Sequence, residues 1–145
     1  VGQGKQPETS SAPEGPDIIC YSASDRMAAI IMAGLVQCNY RAEFANSSYL
    51  AIIKAAQLLP RLVIVDINNP GSKGFSIVAA LRKSVRTQHI PVVLMLPAAP
   101  STLLDTLKKT YWDSQMLKDA GDIAILRYPF SFAELIKTVE SILRK

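Results

Sequence analysis

A doubly wound α/β domain, with five parallel strands covered by helices on both faces, is the fold class this sequence predicts. Short apolar runs recur at residues 18–21, 62–66, 91–96 and 123–126, and residues 40–45 alternate apolar with polar. Segments with apolar residues at helical spacing alternate with them. The two strongest runs, LVIVD and PVVLML, are apolar almost throughout. A strand buried on both faces needs that pattern, because helices cover each side of a parallel sheet.

The elements follow in order. Residues 1–16, VGQGKQPETSSAPEGP, are rich in Gly, Pro, Ser and Glu and carry almost nothing apolar. They read as a flexible leader or linker, and the ordered domain is expected over 17–145. The run at 18–21 is a buried strand. Ser24 or Asp25 caps a helix over 26–38, in which Met27, Ile30, Ile31, Gly34 and Leu35 share one face. Residues 40–45 alternate as a short strand. Ser47 and Ser48 offer a cap for a helix reaching about residue 59, where Pro60 stops it. The run 62–66 is the third strand. After the loop NNPGSKG a helix is expected over 75–85, then a fourth strand over 91–96. Residues 101–120 read as a helix, with Gly121 just past its end. The fifth strand is expected over 123–126. A final helix over 131–144 carries Phe132, Leu135, Ile136, Val139, Ile142 and Leu143 on one face.

Composition excludes several classes of function. With 49% hydrophobic and 19% charged residues among 145, the chain is globular and long enough for one sizeable core. No apolar run approaches the roughly 18 residues of a membrane helix, and no secretory signal is visible. A cytoplasmic domain is the expectation. The net charge is +4. The basic clusters Arg82, Lys83, Arg86 and Lys108, Lys109 read as solvated helix faces, since no aromatics alternate with them as in a single-strand nucleic-acid surface. Two cysteines, Cys20 and Cys38, and one histidine, His89, cannot assemble a zinc site. The cysteines read as buried free thiols and His89 as structural or exposed. No GxGxxG, P-loop or Ser–His–Asp set is present; GQGKQ lacks a preceding strand.

Right-handed crossovers between five strands are met most commonly at this length by the flavodoxin-like order 2-1-3-4-5. In such sheets chemistry sits at the carboxyl ends of the strands, near the switch between the first and third. The segments to inspect are residues 22–25, 66–74, 97–100 and 127–130.

Three of those segments resemble one family. LVIVDINNPGSKG matches a D-x-x-x-P-G-x-x-G loop through Asp66, Pro70, Gly71 and Gly74. HIPVVLMLPA is similar to an I-P-V-I-x-L-T-A strand. GDIAILRYPF is similar to a G-x-x-x-x-L-x-K-P-F ending through Gly121, Leu126, Pro129 and Phe130. Over residues 17–145 the chain resembles the receiver domains of two-component response regulators. The resemblance implies phosphotransfer signalling, with Asp66 as candidate phosphoacceptor and Asn68 offering a backbone carbonyl to a metal.

The departures are as informative. The family's magnesium-binding acidic pair falls at Ser22 and Ala23, its hydroxyl residue at Pro97, and its lysine at Tyr128. Arg127 adjoins Tyr128, but strand neighbours point to opposite faces. One carboxylate is a poor magnesium ligand set, so no metal or cofactor is expected. Magnesium would enter only if Asp66 worked as a phosphoacceptor. A structural alternative for Asp66 is that it holds the amides of the loop that follows it.

The stretch 98–121 is longer than the resemblance implies and includes Trp112, which suits either a binding hot spot or edge packing. The resemblance places partner contacts on residues 101–145, with Trp112, Arg127, Tyr128 and Phe130 as candidates.

The expected function is that of a pseudo-receiver. It would act by protein–protein interaction with a signalling protein or neighbouring domains of a longer chain, without enzymatic activity. No membrane contact and no direct nucleic-acid contact are expected, and homodimerisation is left open. The alternatives are a working phosphorelay receiver using Asp66, and a small-ligand or nucleotide-binding domain on the same sheet.

Overall fold

The computed structural model describes residues 15–67, 73–96 and 123–144. Five strands form one parallel sheet: β1 (Ile18–Tyr21), β2 (Ala42–Ala45), β3 (Leu62–Asp66), β4 (Val92–Leu96) and β5 (Ile123–Arg127), in the order β2-β1-β3-β4-β5. Four helices are described: α1 (Asp25–Gln37), α2 (Ser48–Leu58), α3 (Gly74–Lys83) and α4 (Phe132–Leu143). The order and the parallel pairing are those expected from the sequence. The helix expected over 101–120 lies outside the described residues, as do Asn68, Pro70, Gly71, Pro97, Trp112 and Gly121.

The period of two along each strand divides the core. Ile19, Tyr21, Val63, Val65, Val92, Leu94 and Leu96 face one layer, with Ala51 and Ala55 of α2 and Phe75, Ile77, Val78 and Leu81 of α3. Ile18, Cys20, Leu62, Ile64, Val93 and Met95 face the other, with Ile31 and Leu35 of α1 and Leu135, Val139 and Ile142 of α4. Every residue of β1, β3 and β4 is buried, which explains why these strands read as unbroken apolar runs.

Helix ends follow local chemistry. The Ser24 hydroxyl accepts from the Met27 amide (3.1 Å), so Ser24 is the cap of α1 and Asp25 its first helical residue. Ser47 caps α2 through the Leu50 amide (3.1 Å). Ser131 and Glu134 form a reciprocal capping box at α4.

Three expectations are corrected. The second strand starts at Ala42, not Tyr40, because the Tyr40 amide is spent on Leu35 O (3.0 Å) at the end of α1. The third helix stops at Lys83, since Ser84 is extended and a turn follows. Cys38, at the C-terminal cap of α1, is half-buried, unlike Cys20.

Arg82 is a further correction. It is buried, not solvated, and its guanidinium donates to Gln88 O (2.9 Å) and Ile90 O (2.8 Å). Burial lowers its pKa to about 10. Thr87 donates to Leu81 O (2.8 Å), and Arg86 Nε donates to Ala56 O (2.6 Å). The turn between α3 and β4 is thus held by side chains reaching backbone carbonyls. His89 is exposed. No described helix is long and apolar enough to cross a membrane.

Candidate functional site

The carboxyl ends of β1, β3 and β5 converge on one carboxylate. Asp66 ends β3 and is only 4% exposed. Ser22 follows β1 directly and is fully buried. Its hydroxyl donates to Asp66 Oδ2 (2.7 Å) and accepts from the Ser24 amide (3.0 Å). Ser22 thereby joins the carboxylate to the turn that starts α1. Tyr128 follows β5, and its hydroxyl donates to Asp66 Oδ1. The Tyr128 amide is anchored on Leu96 O at the end of β4 (2.8 Å). Its ring stacks on Phe130, with centroids 5.7 Å apart, and both rings pack against the α1/α4 core layer.

Both oxygens of Asp66 therefore carry a hydroxyl donor, one from each side. These are Ser22 and Tyr128, the positions where the resemblance calls for an acidic residue and a lysine. Ala23, the second acidic position, is exposed and has no carboxylate to offer. Asp25 is exposed at the first turn of α1. Arg127 is exposed, while Ser22 and Tyr128 supply the described hydrogen bonds to Asp66. Of the loop amides that Asp66 was expected to hold, those of residues 68–72 lie outside the described residues.

Gly74, the last glycine of the loop pattern, opens α3 against the base of this site. A Cβ there would stand 2.7 Å from Ile67 Cγ1, 2.8 Å from Val65 Cγ1 and 3.3 Å from Asp66 O. Close packing, not a special backbone angle, is what requires glycine.

Electrostatics follow from burial. Burial pushes the Asp66 carboxyl above its usual range, and the Ser22 hydroxyl offsets part of that. Cys20, buried beneath, is pushed up to about 12 by burial and then by the Asp66 charge. Tyr21 is raised for the same two reasons.

The raised Asp66 value predicts a pH dependence. Between the unfolded value of about 4 and the higher folded value, the native state binds more protons than the unfolded chain. This contribution to stability is fully present below the unfolded value and is lost as pH rises through the folded one. Asp66→Asn should abolish it. Urea titrations from about pH 4 to 7 should give a wild-type-minus-variant stability difference that falls with pH. A flat or rising difference would contradict the assignment.

Magnesium recruits one or two carboxylates plus waters and substrate oxygens. The described residues present one carboxylate, shielded from solvent and bonded on each oxygen by a hydroxyl. Among them no group of three or more His, Cys, Asp or Glu side chains gathers to hold a metal. This set does not fit the ion.

No family model matches the chain. The chain is 25% identical over 130 residues, 90% of its own length and 50% of the relative's, to the DNA-binding dual master transcriptional regulator RpaA of Synechocystis. It spans half or less of the curated relatives it matches, among them the response regulator PleD of Caulobacter vibrioides, to which it is 36% identical over 56 residues, 39% of this chain and 12% of that one. Among solved structures, it superposes on the chemotaxis protein CheY4 of Vibrio cholerae with TM-score 0.71 and 22% identity, covering 89% of this chain and 99% of that one. It is also similar to the receiver domain of the sensor histidine kinase PA1611 of Pseudomonas aeruginosa, which holds magnesium in its active-site cleft. That match has TM-score 0.71 and 18% identity, over 90% of this chain and 99% of the other. The fold is that of the response-regulator receiver domains.

Proposed function

We propose that this domain is a cytoplasmic signalling module of receiver architecture that works through protein–protein contact, without aspartyl phosphorylation and without catalytic activity of its own. One observation carries the reading: both oxygens of Asp66 are engaged by the hydroxyls that stand at the acidic and lysine positions. An attacking carboxylate must approach an anionic phosphoryl donor, and charge compensation by a cation normally makes that approach affordable. Here the described partners of the carboxylate are neutral. The β5–α4 side, with Arg127, Tyr128 and Phe130, is the proposed partner face, and neighbouring domains of a longer chain or a separate signalling protein are the proposed partners. Half-length coverage of a relative such as RpaA supports a multidomain setting.

A second reading keeps Asp66 as phosphoacceptor with magnesium. It is favoured by the position of Asp66 at the carboxyl end of β3 and by the magnesium held in a structural neighbour. Incubation with a small phosphodonor and magnesium, followed by intact mass measurement, separates the two. The expected result is no phosphoryl adduct. An adduct that disappears in Asp66→Asn would establish the second reading.

A further inference from the structure

Tyr128 touches two regions at once. Its hydroxyl is on Asp66, its amide is on Leu96 O, and its ring lies against Phe130 immediately before the capping box of α4. In the sheet order, β4 lies between β3 and β5. The Tyr128 side chain therefore bridges over one whole strand to reach the carboxylate. Arg127 before it is exposed, and Phe130 after it is half-buried. Among the described residues, the segment between β5 and α4 has few backbone ties. The described ones are the Tyr128 amide to Leu96 O (2.8 Å), the Ser131 amide to Glu134 Oε1 (2.9 Å) and, at the start of α4, the Leu135 amide to Ser131 O (3.1 Å). Few ties of this kind are what permit a local opening well below the cost of global unfolding.

We infer that Tyr128 is a latch, whose hydroxyl on Asp66 holds the β5–α4 segment closed against the sheet and whose release loosens that segment while the rest of the domain stays folded. This rests on the reading of Asp66 as capped and not phosphorylated. The physical basis is the strength of a hydrogen bond to a charged acceptor, which is enough for about tenfold or more in a local opening constant. The proposed partner face and the carboxylate would then be two ends of one contact. Whatever neutralises or displaces Asp66 would alter the face without any phosphate.

The test is amide hydrogen exchange on the full chain, without magnesium or phosphodonor, so that its outcome is independent of the mass experiment above. Tyr128→Phe removes the latch hydroxyl and keeps the ring. Exchange at the Tyr128 and Ser131 amides should rise about tenfold, with β1 and β3 unchanged. Ser22→Ala removes the other hydroxyl and should speed the Ser24 amide, leaving 128–131 as in the wild type. Asp66→Asn keeps an acceptor but removes its charge, so a smaller rise confined to 128–131 is expected, even where Tyr128→Phe loosens the whole fold. Unchanged exchange at 128–131 in Tyr128→Phe would overturn the latch. So would an equal rise there in Ser22→Ala, or a global rise in Tyr128→Phe together with none in Asp66→Asn.

Discussion

Gly74→Val should destabilise the domain by at least roughly 1–3 kcal/mol, the usual cost of overpacking a filled core. Even the first added carbon would meet Ile67 Cγ1 at 2.7 Å and Val65 Cγ1 at 2.8 Å, and both of those side chains are fully buried. Neither can swing to solvent, so α3 must lift from the sheet. Because α3 contributes Phe75, Ile77, Val78 and Leu81 to its core layer, lifting it exposes apolar surface. Urea denaturation checks this, with Gly34→Ala as comparison. A Cβ at Gly34 meets the ring of Phe132 at 2.7 Å, but Phe132 is 48% exposed and can yield. Equal losses at the two glycines would show that buried packing is not what Gly74 serves.

Arg82→Ala should cost about 2–4 kcal/mol, from losing charge-assisted hydrogen bonds and leaving carbonyls short of donors. Its guanidinium serves Gln88 O and Ile90 O, which hold the turn that feeds β4. The aliphatic stem also fills space. Arg82→Met should therefore recover part of the loss but not all. The adjacent exposed Lys83→Ala should stay within about 0.5 kcal/mol of wild type. Thermal or urea unfolding of the three variants measures the ranking. If Arg82→Met matched wild type, packing of the stem would be its whole role.

Much of the architecture is legible in the chain because its central strands are buried on both faces. LVIVD can hardly be anything but an interior strand, and Ser24, Ser47 and Ser131 mark helix starts by chemistry that acts over three residues. Asp66 is legible for a related reason, standing where an apolar strand meets a Pro-Gly loop. Its partners are a different matter. Ser22 lies 44 residues away in sequence and Tyr128 62. Their positions could be marked as substituted, but nothing local says that both hydroxyls turn onto the same carboxylate. That fact depends on strand order and on the reach of a phenol across β4. The burial of Arg82 is not legible locally, because a basic run looks solvated. The available signal was periodicity: Arg82 falls on the same stripe as Phe75 and Val78, both buried. The half-buried state of Cys38 was hidden because its apolar surroundings in sequence belong to a helix that ends just before it.

The three-strand knot at Asp66 also constrains how this surface could change by single substitutions. Installing an acidic side chain at Ser22 first would set two anions side by side in a dry setting with no cation to offset them among the described residues, which drives one to take up a proton. Installing a lysine at Tyr128 first supplies the offset, and the second carboxylate becomes tolerable afterwards. Paths toward a metal-dependent site are therefore ordered, and only one of the two orders avoids an unfit intermediate.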